Sequence, residues 1–157
     1  MSYQTFHGTL DGSNLRIGVV VSRFNEFITE ALAKGALETL EKKGCRQENI
    51  TVLKVPGAWE LPVAARALTG RCDAIVAIGA VVRGDTPHFD YVAGGAADGL
   101  QAVSVETGIP IAFGVLTTDN MQQAMDRAGG KSGNKGAEAA EVAIELANLL
   151  KTLKGSK

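Results

Sequence analysis

Four short apolar runs, each followed by a helix-like pattern, constrain this chain more than any other feature. They are Arg16 to Val21, Ile50 to Val55, Ala74 to Val82 and Ile109 to Val115. Each is dense in aliphatic residues without polar alternation, as in strands buried on both faces of a parallel sheet. After the first, Ile28, Leu32, Ala36 and Leu40 recur at a spacing of four and form one stripe, with Gly44 as the stop signal. Leu61 to Leu68 reads as a helix with Pro62 in its first turn. His88 to Thr107 reads as a longer helix containing the stretch Ala93, Gly94, Gly95, Ala96, Ala97. Each interior glycine costs about 1 kcal/mol relative to alanine, so close approach of another backbone is the expected compensation. Asp119 is expected to cap a helix running to Ala128, and Ala139, Val142, Ala143, Leu146, Leu149, Leu150 and Leu153 stripe the last one.

This alternation predicts an α/β chain with a central parallel sheet of four strands, right-handed crossovers and helices on both faces, a three-layer flavodoxin-like fold. Residues 1–14 have no partner in that scheme and are expected to form an N-terminal arm or an extra edge strand. The whole of residues 1–157 is expected to be a single domain, long enough to bury its own core. Nineteen glycines with only 5% aromatics point to tight strand-to-helix turns and close packing.

Sixteen basic against seventeen acidic residues leave a formal charge of -1. That excludes the basic footprint of a nucleic-acid binder while leaving room for a small phosphate-bearing ligand. Cys45 and Cys72 lack metal-site spacing and read as reduced core residues of a cytoplasmic protein, with no metal expected. The first residues carry no targeting pattern and no apolar run is long enough to span a bilayer, so no membrane association is expected.

In open α/β sheets ligands bind beyond the carboxyl ends of the strands. Here those exits read Ser22-Arg23-Phe24-Asn25, Pro56-Gly57-Ala58-Trp59-Glu60, Arg83-Gly84-Asp85-Thr86-Pro87-His88-Phe89 and Phe113-Gly114-Val115-Leu116-Thr117-Thr118. Each residue also has an ordinary structural reading. Phe24 alone is compatible with a hydrophobic staple at a helix start. Trp59 alone could close the core edge, Glu60 could serve a helix dipole, and His88 could be a solvated histidine. Arg127, next to a glycine, could be a helix C-terminal cation or a phosphate ligand acting with the backbone of Gly84, Asp85 and Thr86. Gly130-Lys131-Ser132 is not a P-loop, since Met125 stands in place of its first glycine and no strand precedes it. A dinucleotide fingerprint after the first strand is also missing.

Taken in order, Ser-Arg-Phe-Asn, Val-Pro-Gly-Ala-Trp-Glu-Leu-Pro, Arg-Gly-Asp-Thr-Pro-His-Phe-Asp-Tyr-Val, Pro-Ile-Ala-Phe-Gly-Val-Leu-Thr-Thr and Gly-Gly-Lys-Ser-Gly-Asn-Lys-Gly resemble the signatures of lumazine synthases, from about Arg16 to about Leu150. The resemblance implies two small-molecule substrates. These are 5-amino-6-(D-ribitylamino)uracil and 3,4-dihydroxy-2-butanone 4-phosphate, condensed to 6,7-dimethyl-8-ribityllumazine with loss of phosphate and water. It implies no cofactor. By position, Phe24 stacks on the pyrimidine, Ala58, Trp59 and Glu60 hold the ribityl chain, and Ala80, Val81 and Val82 read the pyrimidine edge. Asp85, Thr86 and Arg127 hold the phosphate, His88 moves protons, and Phe113 walls the ring from a neighbouring subunit. The resemblance further implies a homo-oligomeric pentamer, which some members leave free and others join into an icosahedral shell; the short kink Gly129 to Gly136, without an insertion, and the proline-free arm favour the shell, with riboflavin synthase as a candidate partner. The competing reading is a non-catalytic flavin or lumazine carrier on the same scaffold, against which His88 and Arg127 argue.

Overall fold

The computed structural model describes residues 2–156. In chain order its elements are β1 (Ile17–Ser22), α1 (Glu26–Lys42), β2 (Ile50–Val55), α2 (Leu61–Leu68), β3 (Ala74–Val82), α3 (His88–Thr107), β4 (Ile111–Thr118), α4 (Met121–Arg127), β5 (Ala128–Gly130), β6 (Gly133–Asn134) and α5 (Lys135–Gly155). The four apolar runs pair in parallel in the order β2-β1-β3-β4. This is the flavodoxin-like strand order, in which the chain reverses direction across the sheet between β1 and β3.

Side-chain alternation along the strands builds two cores. Ile17, Val19 and Val21 of β1 join Val76, Ile78 and Ala80 of β3 on one face, under Ile28, Leu32, Ala36 and Leu40 of α1 and Ala140, Ala143 and Ile144 of α5. Val20, Ile75, Ala77 and Val81 face the other way, under Leu61, Ala65 and Leu68 of α2 and Ala96 and Leu100 of α3. Each fully buried Val, Leu or Ile contributes about 1.5–3 kcal/mol.

Local signals explain how the elements end. Gly44 adopts φ 99 just beyond α1, and its N–H donates to the Glu41 carbonyl at 3.0 Å. The Asn134 Oδ1 accepts from the N–H groups of Gly136 and Ala137, capping α5, while its Nδ2 donates to the Ala31 carbonyl at 3.1 Å. A side chain at Gly136 would overlap the Leu32 carbonyl, so glycine there lets the first turn of α5 rest on α1.

Four sequence expectations are corrected. The cap of α4 is Asn120, whose side chain accepts from the Gln123 N–H at 2.8 Å, because Asp119 is turned instead toward Arg83. The fourth strand begins at Ile111 and runs on to Thr118, since Leu116 and Thr118 pair opposite Ala80 and Val82. Phe113 therefore lies inside β4, opposite Ala77, and not at its exit. Among the described residues of this chain no backbone approaches the glycines of α3: Gly95 lies against the Trp59 side chain, Gly99 against Pro62, and Gly94 meets nothing within 4 Å.

Residues 2–14 form no strand within this chain and so make an arm. Asn148 Nδ2 donates to the carbonyls of Thr9 and Asp11 at 2.9 Å, and the Gly12 N–H donates to the Lys43 carbonyl at 2.8 Å. The arm is thereby laid along α5 and the end of α1.

Candidate active site

The exit of β1 crosses toward that of β2. The N–H groups of Arg23 and Phe24 donate to the carbonyls of Val55 and Pro56 at 2.8 and 3.0 Å. Asn25 then takes a left-handed conformation, φ 62 and ψ 48, and its side-chain amide donates to the Ala80 carbonyl at 3.0 Å. This turn leaves the Phe24 ring 71% exposed. A staple would need an apolar residue one turn into the helix, where Thr29 stands, so Phe24 is not packed as one.

At the exit of β2, Ala58 to Glu60 form a single 3₁₀ turn. The Gly57 N–H donates to Glu60 Oε1 at 2.9 Å, which folds the carboxylate back over that turn. Trp59 is 60% exposed, so it does not close the core edge. At the exit of β3, the Thr86 hydroxyl oxygen accepts from the His88 N–H at 3.4 Å, and His88 opens α3. Arg83 stacks 4.3 Å above the Phe89 ring and reaches Asp90 at 3.5 Å and Asp119 at 3.1 Å. Such exposed ion pairs add little stability, so their consequence is orientation of the turn before His88.

These three exits enclose one cleft of about 790 Å³, lined by Phe24, Ala58, Trp59, Glu60, Ala80, Val81, Val82, Thr86 and His88. Pro56, Gly57, Gly84, Phe89, Tyr91 and Val92 complete it. Tyr91 and Val92, which end the Arg-Gly-Asp-Thr-Pro-His-Phe-Asp-Tyr-Val motif but were given no site role, stand three and four residues after His88 and so share its helix face. Asp85 is exposed and is not among the lining residues, although Gly84 and Thr86 on either side of it are. Phe113 and Arg127 lie apart, in a second cavity of about 270 Å³ that also contains Lys135 and Thr118. Arg127 Nη1 donates to the Gln123 carbonyl at 3.0 Å, so one of its nitrogens serves its own helix. Lys135 belongs to the Gly-Asn-Lys-Gly motif, which was the available signal for it.

A further groove of about 510 Å³ lies between α1 and β2, lined by Glu30, Lys34, Glu41, Val52 and Lys54 among others. It flanks the sheet and is crossed by the Lys54–Glu30 ion pair. The strand-end cleft is the better candidate, because it sits where the chain reverses across the sheet and combines aromatic faces with a carboxylate and an imidazole. Among the described residues no group of three or more His, Cys, Asp or Glu side chains could hold a metal ion, and no helix is long and apolar enough to cross a membrane.

Comparison with known proteins adds an independent observation. The family model for 6,7-dimethyl-8-ribityllumazine synthase matches residues 14–151. A 6,7-dimethyl-8-ribityllumazine synthase of Chlorobium phaeovibrioides (strain DSM 265 / 1930) is 50% identical over 155 residues, covering 98% of this chain and all of that protein. The protein of the same name from Chlorobium luteolum (strain DSM 273 / BCRC 81028 / 2530) is 48% identical over the same coverage. The chain belongs to the 6,7-dimethyl-8-ribityllumazine synthase family. The match begins at residue 14, so most of the arm lies outside the part shared with the lumazine synthase family model, while every strand exit lies within it.

Proposed function

We propose that this chain condenses 5-amino-6-(D-ribitylamino)uracil with 3,4-dihydroxy-2-butanone 4-phosphate to 6,7-dimethyl-8-ribityllumazine, and that the strand-end cleft is where it does so. Family membership supports the activity. The observation that carries the site is the convergence of Phe24, Trp59, Glu60 and His88 on one cleft. In this reading the exposed Phe24 ring stacks on the pyrimidine, whose edge meets the backbone of Ala80, Val81 and Val82. Glu60, with Ala58 and Trp59, receives the ribityl hydroxyls, which a carboxylate can accept.

The substrate amine attacks the ketone to form an imine and release water. Phosphate elimination and ring closure, with loss of a second water, follow. His88 stands at the mouth of the same cleft and relays protons in these steps, an effect typically worth ~10²–10⁴ in rate. Orientation of the two substrates supplies much of the remainder. Thr86 and the backbone at Asp85 hold the phosphate, together with Arg127.

Phe113 and Arg127 line a separate cavity in the same chain. We therefore assign them to the active site of a neighbouring copy, in a cytoplasmic pentamer whose sites lie between subunits. Pentamers joined into an icosahedral shell, with riboflavin synthase as partner, complete this reading. The catalytic unit is residues 1–157 as a single domain with residues 1–14 as its arm.

The test is incubation of the purified protein with both substrates while lumazine absorbance and free phosphate are followed. Stoichiometric appearance of both is expected. Binding of lumazine without turnover would replace this reading with that of a carrier.

A further inference from the structure

The glycines of α3 are not interchangeable. An alanine-type carbon at Gly94 meets nothing within 4 Å. At Gly99 it would stand 2.7 and 2.9 Å from Pro62 Cγ and Cβ, a packing contact between α3 and α2. At Gly95 it would stand 2.5 Å from Trp59 Cζ3 and 2.9 Å from Cε3, both in the six-membered ring of the indole. Carbon atoms pack at about 3.5–4.0 Å, so neither of the last two sites accepts a methyl group without movement. Only at Gly95 is the atom that must move part of the cleft wall.

We infer that Gly95 and Trp59 form a size-matched pair that sets the width of the cleft, which makes Gly95 a specificity-determining residue for the ribitylaminouracil. This rests on the proposed assignment of that cleft to the substrate. The indole cannot retreat by shifting its backbone. Ala58 beside it is buried, the Glu60 N–H donates to the Gly57 carbonyl at 3.2 Å, and the Gly57 N–H donates to the Glu60 side chain. With the 3₁₀ turn held and α3 behind it, the 60% exposed ring gives way on its solvent side, the side on which it lines the cleft. A methyl group at position 95 therefore moves the indole by ~1 Å into the space for the ribityl chain, a displacement large enough to matter for substrate positioning. The interior glycine of α3, unfavourable for the helix by about 1 kcal/mol, is thus accounted for by the ring it accommodates.

The test is a double-mutant cycle on the full-length protein with Gly95→Ala, Trp59→Phe and both together. Gly95→Ala is expected to raise KM for the ribitylaminouracil by ~10-fold or more while KM for the butanone phosphate changes by less than about twofold. Phenylalanine lacks the second ring, so the double variant should recover most of the loss, giving strongly non-additive effects. Trp59 is the only tryptophan, so its emission in Gly95→Ala should shift before any substrate is added. Gly99→Ala is the packing control, expected to lower the thermal midpoint without changing the ratio of the two KM values. Additive effects in the cycle, or unchanged emission together with unchanged KM in Gly95→Ala, overturn the inference. If Gly95→Ala fails to fold, recovery of a folded protein in the double variant supports the pair, and its absence overturns it. Wild-type protein that makes no lumazine would instead overturn the proposed reaction, while the emission of Trp59 would still report on the pair.

Discussion

The side-chain amide of Asn25 donates a 3.0 Å hydrogen bond to the carbonyl of Ala80, joining the exits of β1 and β3 where the chain reverses across the sheet. Asn25 is also the one non-glycine residue with positive φ among the described residues. Asparagine tolerates that conformation better than most residues, whereas alanine there costs about 1–2 kcal/mol. Asn25→Ala is accordingly expected to lower stability by roughly that amount plus the lost hydrogen bond. Asn25→Gly keeps the backbone but not the amide, so it should lose only about 0.5–1.5 kcal/mol while still weakening ribitylaminouracil affinity. Urea titrations of the two variants check this, and equal destabilisation would mean that backbone strain is not the larger contribution.

Phe24 and His88 should separate binding from chemistry. Removing the exposed ring in Phe24→Ala takes away a stacking surface worth ~1–3 kcal/mol for a base on an aromatic, so affinity for the ribitylaminouracil should fall. His88→Ala should chiefly lower kcat, leaving that affinity nearly unchanged. Steady-state kinetics beside direct titration of the uracil distinguish the two, and identical profiles would contradict the division of roles.

Arg127 is expected to serve the phosphate substrate selectively, because the ribitylaminouracil carries no anion for a guanidinium to hold. Arg127→Ala should raise KM for the butanone phosphate well before it affects the other substrate. Its bond to the Gln123 carbonyl supplies the competing outcome: if both KM values rise together, the residue acts as the cap of α4.

The two buried thiols should make the fold alkali-sensitive. Burial pushes the Cys45 thiol up, and the Asp11 carboxylate adds to the effect. Burial likewise raises Cys72, opposed by Arg16 and Arg71 and assisted by Asp73. In the unfolded chain these thiols ionise near their ordinary value of about 8.5, so above that pH the unfolded state holds fewer protons than the folded one. Stability contributed by the protonated thiols is full below that value and declines as pH rises beyond it. Urea midpoints should therefore fall between neutral pH and about pH 9.5, and less so in a Cys45→Ala/Cys72→Ala variant. A pH slope unchanged by the double substitution would assign the decline to other groups.

Most of the layered fold was legible because aliphatic runs such as Ala74 to Val82 have the density of a strand buried on both faces, whereas Ile50 to Val55, read the same way, is an edge strand with Val52 and Lys54 exposed. What was not legible depended on choices between neighbours. Asp119 and Asn120 can both cap a helix, and only the position of Arg83 decides that Asp119 is drawn away. Thr117 and Thr118 read as a loop until their register against Val81 and Val82 makes them strand. At the site, the residues of the cleft were readable because they follow strands directly. The separation of Phe113 followed only from the family resemblance, which sets it against a neighbouring subunit, and that of Arg127 from His88 was not legible, since periodicity along one chain carries no distance across a sheet edge.

Assembly is the remaining expectation. The β2 edge is open, with Val52 39% exposed, and residues 2–14 contain no proline, so their backbone donors can extend an edge strand on a neighbouring subunit. Ala128 to Asn134 forms a short β5–β6 hairpin, with φ 105 at Gly129 and φ 84 at Gly133, whose last residue, Asn134, caps α5. The resemblance to shell-forming lumazine synthases implies a short Gly-x-Lys-x-Gly-Asn-Lys-Gly kink between the last two helices, which Gly129 to Gly136 matches without an insertion. Sedimentation velocity and electron microscopy at neutral pH should therefore show hollow particles as the dominant species. A dominant free pentamer would refute the shell while leaving the inter-subunit site in place, and a monomer active at high dilution would refute both.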